Sequence, residues 1–143
     1  MKNAVVLTVF VSLALMFGYN VQQFFISHRA PFEYISASIE NPQVRVGGDA
    51  RFVFVFDRIR YCPTTLSRFI VKKDSNTIVR RIQAEGGATI LGRHRVVSPI
   101  RMVDDNLENL PPGRYVKRVF NHSDCTDGRH TVAVPEIEFE IVP

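Results

Sequence analysis

The 143-residue sequence contains no tryptophan and only two cysteines, and it lacks the short motifs that mark common enzyme classes. No G-x-S-x-G, H-E-x-x-H, phosphate-loop or dinucleotide-binding pattern occurs, which argues against the hydrolases, zinc proteases and nucleotide-dependent enzymes that carry them. The net charge is only +4, and a solvated mixed-charge surface accounts for it without nucleic acid. We therefore expect a protein that is not an enzyme and has neither a cofactor nor a nucleic-acid partner. A small-molecule ligand is not expected either.

Charge is also missing from residues 4–17, where only a threonine and a serine are polar. A helix that spans a bilayer needs ~20 residues, so this run is long enough only if it continues over residues 4–26. Three interpretations are open: an uncleaved signal anchor, a cleaved signal peptide, or a buried helix of a soluble protein. No small-x-small cleavage site follows the run, which favours the uncleaved anchor. We expect residues 1–30 to form the anchor with a short linker, and residues 31–143 to form one domain.

Both cysteines, Cys62 and Cys125, lie in the domain, and an even number behind an export signal predicts one disulfide in an oxidising compartment. The flanking charges leave the orientation nearly balanced, because Lys2 precedes the apolar segment and Arg29 follows it. The predicted disulfide therefore decides which side of the membrane we assign to the domain. We expect a single-pass membrane protein with a cytoplasmic N-terminus and the domain outside, in the periplasm or on the cell exterior. If the segment is cleaved, the domain is secreted.

Short β-rich segments separated by turn residues follow residue 30, a pattern typical of an all-β sandwich or barrel. The strongest segment is 51–59, where three phenylalanines alternate with two valines, and apolar residues on both faces indicate a central strand. About seven strands are predicted: 34–40 or 44–46, then 51–59, 66–73, 77–82, 93–103, 114–121 and 131–142, with a short additional strand at 88–91.

Local signals refine three of these segments. The Asp74-Ser75-Asn76 sequence predicts a hairpin turn with Asn76 in the left-handed region. Pro99 cannot donate to a strand ladder, so it should lie at a sheet edge or a bulge. In the last segment the apolar residues change parity at Pro135-Glu136, which predicts a bulge there.

Residues 110–115 read LPPGRY and open a predicted strand. This sequence resembles the corner before the penultimate strand of immunoglobulin-like and fibronectin-type β-sandwiches. The resemblance implies that fold for the domain, and it implies that the Tyr115 hydroxyl bonds back to upstream backbone and fixes the corner. The chain departs from antibody-type domains at Lys117, where those domains have a core cysteine, and in its lack of tryptophan.

In this sandwich topology the loop that contains Cys62 and the loop that contains Cys125 emerge at the same end. A disulfide needs Cα atoms within ~7 Å, which neighbouring loops can provide. We therefore predict a Cys62–Cys125 disulfide that joins the two loops at one pole.

Few residues suggest chemistry. His122, Cys125 and His130 are candidate metal ligands, since imidazole and thiolate both bind zinc or copper, although a disulfide at Cys125 would remove the thiolate. Arg60 and Arg68 are expected near the Cys62 pole of the domain and are candidate contacts for an anionic partner there.

The leading interpretation is a membrane-anchored, exported binding or scaffold protein that recognises a protein partner through its loops, with the disulfide-tied loops pointing away from the anchor or toward the partner. Its small size and single anchor loosely resemble accessory membrane proteins of bacteria or their phages. The alternative is an exported metal-binding or redox accessory protein that uses the histidines and cysteine between the last two strands.

Overall fold

The computed structural model describes residues 2–87 and 90–143 of the chain. One helix, α1 (Lys2–His28), precedes nine strands in this part of the chain. The strands are β1 (Phe32–Ile39), β2 (Gln43–Arg45), β3 (Asp49–Arg58), β4 (Thr64–Lys72), β5 (Thr77–Glu85), β6 (Gly92–Arg101), β7 (Gly113–Cys125), β8 (Gly128–Ala133) and β9 (Ile137–Val142). The predicted fold class is confirmed, because an all-β, immunoglobulin-like sandwich follows one N-terminal apolar helix.

Helix α1 is long and apolar enough to cross a membrane, judged by length and composition alone. Its 27 residues rise ~40 Å at ~1.5 Å per residue, and the apolar stretch within it is Val6–Phe25. The side chains at 6–25 are all exposed, so this helix is not part of the domain core. Asn20 Nδ2 donates to the Met16 carbonyl at 2.8 Å, which satisfies a polar side chain inside the helix.

Two sheets form the sandwich. One has the strand order β1-β3-β6, and the other has the order β2-β9-β7-β4-β5 with β8 beside β7. The sequence left 34–40 and 44–46 as alternatives for the first strand, and both regions form strands. β1 pairs with β3 in the first sheet, whereas β2 pairs with β9 in the second. The chain changes sheets at Asn41-Pro42, where Asn41 Oδ1 accepts a hydrogen bond from the Gln43 amide at 3.0 Å.

The phenylalanine-rich strand β3 is central in its sheet, as predicted, because it pairs with both β1 and β6. Phe52, Phe54 and Phe56 are buried between the sheets. The Phe52 ring packs edge-on against Phe139 of the opposite sheet, with ring centroids 5.6 Å apart. Pro99 lies on β6, which pairs only with β3 among the described strands and is therefore an edge.

The β4–β5 turn and the C-terminal strands also follow their sequence signals. Asn76 has φ = 51°, in the left-handed region. β8 and β9 pair with the same edge of β7, and the register shifts by one residue between the Phe120–Ala133 and Lys117–Ile137 pairs. This shift confirms the bulge predicted at Pro135-Glu136, although it divides the predicted last strand in two.

Two predicted strand boundaries need correction. The predicted strand 114–121 is too short, because β7 continues to Cys125 and pairs with β8 over its last six residues. The polar NHSDC sequence thus forms a strand and not a loop. Of the predicted short strand 88–91, residues 88 and 89 lie outside the described residues, and residues 90 and 91 are not in a strand.

The domain has two ends, which differ in their relation to α1. The end formed by segments 58–64, 85–87 and 124–128 carries both cysteines, and we call it the disulfide pole. The chain enters β1 at this end, where the Ile59 amide donates to the Pro31 carbonyl at 2.8 Å. The turns at 73–76 and 102–112 form the opposite pole. Helix α1 therefore joins the domain at the disulfide pole, and the expectation that the disulfide-tied loops point away from the anchor is wrong.

Candidate functional site

The structure contains the disulfide expected between Cys62 and Cys125, with Cα atoms 5.1 Å apart. It joins the β3–β4 loop to the end of β7, and Cys62 is buried. The two residues are 63 apart in sequence. A loop of that length corresponds to about 4 kcal/mol of stabilisation in the chain-entropy model.

An ion pair accompanies the disulfide at this pole. Arg60 Nη2 donates to both carboxylate oxygens of Asp127, at 2.8 and 2.9 Å. His130 Nε2 lies 3.0 Å from Asp127 Oδ2 and 2.7 Å from Arg60 Nη2. The Arg60 and Asp127 side chains are only 14% and 16% exposed. The hydrogen bonds from Arg60 lower the pKa of Asp127 to about 2, so the pair is ionised at neutral pH.

The predicted metal-ligand set is not assembled. Ligand atoms of Cys125, Asp127 and His130 lie within 4.8 Å of one another, but the Cys125 sulfur is bonded to Cys62 and cannot be a thiolate. Arg60 occupies the space beside the other two groups. His122 lies on the opposite face of the β7–β8 ribbon, because residues 122 and 125 differ in strand parity, and its Nδ1 is 3.0 Å from Thr131 Oγ1.

The two arginines singled out in the sequence do not form one patch. Arg60 is held in the ion pair at the disulfide pole. Arg68 lies within β4 on the face that points between the sheets, and its Nη1 reaches Ser98 Oγ of the other sheet at 3.4 Å. Because strand parity turns the Arg68 side chain between the sheets, it does not join Arg60 on the exposed surface of the disulfide pole, and a role of the two arginines in binding an anionic partner stays a prediction.

A cleft of about 220 Å³ lies between the sheets beside Arg68. Its walls are mainly apolar and come from both sheets: Phe32, Phe54, Phe56, Leu66, Val96 and Val119. Polar groups enter it from Tyr34, Asn121 and Ser98. An apolar cleft with a few convergent polar groups is the usual form of a small-ligand site. No local pattern in the sequence indicates this cleft, because it depends on how far apart the two sheets lie at one side.

A buried polar network connects the cleft to the disulfide loop. Asn121 Nδ2 donates to the Tyr34 hydroxyl at 3.2 Å, and Ser123 Oγ donates to Asn121 Oδ1 at 3.0 Å. Thr64 Oγ1 lies 3.1 Å from Ser123 Oγ and donates to the Cys62 carbonyl at 3.0 Å. Burial raises the pKa of Tyr34, although the Asn121 hydrogen bond opposes this, so the phenol stays protonated at neutral pH.

Tyr115 makes the contact that the immunoglobulin-like resemblance implies. Its hydroxyl donates to the Pro111 carbonyl at 2.9 Å, and its side chain is fully buried. Burial raises the pKa of the hydroxyl, so it remains a donor at neutral pH. The bond ties the start of β7 to the preceding proline turn.

Lys117 is a buried lysine that the sequence reading did not assign to the core. It is 1% exposed, and its Nζ lies 3.7 Å from the Phe52 ring centroid and 4.9 Å from that of Phe54. Nζ has no hydrogen-bond partner among the described residues. Desolvation, with a smaller contribution from the positive charge of Arg68, lowers the pKa of Lys117 to about 6. The available signal was strand parity, since Lys117 shares a face with Tyr115 and Val119.

Comparisons with known proteins identify the fold and no family. No family model matches the chain, and no curated protein does. The C-terminal domain of Wzt has a TM-score of 0.57 and 7% identity, over 80% of this chain and 75% of that one. A CARDB domain from Pyrococcus furiosus has a TM-score of 0.36 and 13% identity, over 80% and 94%. The alkylpurine DNA glycosylase AlkC from Pseudomonas fluorescens has a TM-score of 0.47 and 14% identity, over 80% and 31%. At 7% identity the likeness to the Wzt domain shows the fold alone, a β-sandwich.

Proposed function

We propose that this protein is a membrane-anchored, exported binding protein whose disulfide pole rests on the bilayer and whose opposite pole meets a protein partner. The short connection between α1 and the sandwich carries the proposal. Only residues 29 and 30 separate the end of α1 from Pro31, which is buried and bonded to Ile59. Three residues of extended chain span at most ~11 Å. A helix that crosses the bilayer would therefore hold the disulfide pole at the membrane surface.

Contacts at the disulfide pole support this arrangement. Gln23 of α1 lines a shallow depression together with Tyr61, Pro63 and Thr126 of the pole. The Tyr61 side chain is 64% exposed, and tyrosine is enriched at membrane–water interfaces. The Arg58 guanidinium lies 5.0 Å from the Tyr61 ring centroid. An aromatic ring beside a cation suits the headgroup region. The disulfide further favours an oxidising compartment outside the cytoplasm.

The opposite pole has features of a protein-contact surface. Leu107 is 76% exposed at the tip of the turn between β6 and β7, and its φ is 66°. The Asp104 carboxylate holds this turn by accepting hydrogen bonds from the amides of Asn106 and Glu108, at 2.8 and 3.0 Å. A leucine in the left-handed region is energetically unfavourable, and such outliers concentrate at functional sites. A rigid, exposed leucine suits an apolar pocket on a partner.

The proposal is tested by the membrane topology of the full chain, which carries a C-terminal tag after Pro143. The C-terminus follows β9 at the opposite pole, so the tag should face away from the membrane. We expect the protein to remain in membranes after carbonate extraction, to keep an uncleaved N-terminus, and to lose its tag when protease is added outside the cytoplasmic membrane. Release by carbonate, or a mature N-terminus beyond residue 20, would contradict the anchor.

A further inference from the structure

We infer that the cleft between the sheets binds the head-proximal alkyl segment of a single fatty-acyl chain with an anionic head, supplied by the adjacent bilayer, and that Arg68 binds the anion. The inference goes beyond the proposed function but rests on it for the source of the ligand. Three independent observations lead to it: the composition of the cleft, the charge of Arg68 and the position of the cleft in the domain.

The composition of the cleft suits an alkyl chain. Three phenylalanines of the first sheet face Leu66 and Val119 of the second across a volume of about 220 Å³. An apolar protein cavity of ~150 Å³ is already large enough to bind benzene. The cleft is therefore large enough for an alkyl segment and smaller than the ~300–1,000 Å³ typical of sites for drug-sized ligands.

The positive charge of Arg68 predicts that the ligand carries a negative charge. In the part of the chain that the structure describes, no ion pair joins Arg68 to a carboxylate, and its hydrogen bond is to the neutral Ser98 hydroxyl at 3.4 Å. Glu85 lies on the rim of the cleft but is exposed and does not pair with Arg68. A half-buried guanidinium beside apolar walls is a suitable site for a carboxylate or phosphate, which Arg can bind through two parallel hydrogen bonds.

The position of the cleft in the domain indicates that the ligand comes from the bilayer. Phe32, the first residue of β1, lines one end of it, and Thr64 and Gly86 of the disulfide pole line the same end. Because α1 joins β1 here, that end of the cleft faces the proposed bilayer surface. The other end is lined by Val96 and Ser98 of β6. An acyl chain could therefore enter the cleft without crossing the aqueous phase.

The experiment uses the full chain in phosphatidylcholine nanodiscs with palmitic acid that carries a mid-chain diazirine. After irradiation, trypsin gives separate peptides for β3 (52–58), β6 (96–101) and α1 (3–29). We expect label on both cleft peptides as well as on α1. Arg68→Gln should reduce the cleft label about tenfold, the effect expected for one charge-assisted hydrogen bond. The matched control Arg45→Gln, an exposed arginine on β2, should leave it unchanged.

Two further experiments test separately the contribution of the anionic head and that of the space in the cleft to labelling. A diazirine-bearing palmityl alcohol lacks the anionic head and should label the cleft peptides as weakly as palmitic acid labels the Arg68→Gln variant. Val96→Trp should fill the cleft with its larger side chain and remove label from 52–58 while retaining the charge at Arg68. Far-UV circular dichroism of each variant establishes that the sandwich is folded.

The outcomes distinguish this inference from the anchor. Label confined to α1 would overturn the cleft site and leave the anchor intact, and an apolar peptide segment would then be the next occupant to test. Label in the cleft without label on α1 would support the site and overturn the anchor. Equal cleft labelling in the wild type and the Arg68→Gln variant would overturn the role assigned to Arg68.

Discussion

Replacing Lys117 by methionine should stabilise the domain strongly. In the unfolded chain this lysine has an ordinary pKa of 10.5, whereas burial between the Phe52 and Phe54 rings lowers its folded-state pKa to about 6. Folding at pH 7 must therefore neutralise it, at a cost of about 5 kcal/mol at ~1.36 kcal/mol per pKa unit. Methionine has a similar unbranched shape and carries no charge. We expect Lys117→Met to raise the free energy of unfolding by several kcal/mol.

The pH dependence tests the cause as well as the size of this effect. Between pH 6 and 10.5 the unfolded chain binds one more proton at Lys117 than the folded domain does, so stability rises with pH. The contribution is about 1.4 kcal/mol per pH unit between pH 7 and 9. Below pH 6 the lysine is charged in both the folded and the unfolded state, and folding bears the full free-energy cost of burying the charge. The Lys117→Met variant should lack this slope, so its advantage over the wild type should shrink as the pH rises.

The measurement is guanidinium unfolding of the full chain in mild detergent, followed by far-UV circular dichroism from pH 6.5 to 9. This range stays below the titration of Tyr34 and Tyr115, whose pKa values are raised by burial. Lys73→Met is the matched control, since Lys73 is a partly exposed lysine that pairs with Glu138. It should change stability by less than ~1 kcal/mol. A destabilised Lys117→Met variant, or one with the same pH slope as the wild type, would refute the reasoning.

Three smaller predictions concern the disulfide, the corner and the strained turn. The double variant Cys62→Ala/Cys125→Ala should unfold about 4 kcal/mol more easily, and a loss under ~1 kcal/mol would show that the disulfide contributes little. Tyr115→Phe should cost about 1–2 kcal/mol because the Pro111 carbonyl loses its donor; a cost near zero in denaturant unfolding would contradict that. Leu107→Asn should stabilise the domain by about 1 kcal/mol in the same assay, since asparagine tolerates the left-handed region, and a destabilised variant would show that the leucine is not strained.

Local patterns in the sequence were sufficient for much of the fold. Alternation along 51–59 identified the central strand, and the change of parity at Pro135-Glu136 identified the bulge. The LPPGRY corner pointed to the sandwich topology and, through it, to the cysteine pairing. Each of these signals depends on neighbours within a few residues or on a fold that is already known.

Features that depend on long-range packing could not be predicted from local sequence patterns. The segment that ends at Cys125 is polar and reads as a loop, yet pairing with β8 makes it a strand. Arg68 and Lys117 look like surface residues by type, and only strand parity within two facing sheets turns them inward. The cleft beside Arg68 arises from the separation of the sheets, which no local pattern encodes.

The position of the disulfide pole relative to the bilayer is the central claim, and the absence of tryptophan from the chain allows a direct test. Single tryptophans are introduced as Tyr61→Trp at the disulfide pole and as Ser75→Trp in the β4–β5 turn at the opposite pole. Each full-length variant is reconstituted in vesicles that contain phosphatidylcholine brominated near the headgroup end of its acyl chains. We predict strong quenching of tryptophan emission in the Tyr61→Trp variant and none in the Ser75→Trp variant. Unquenched emission from both variants would contradict the account.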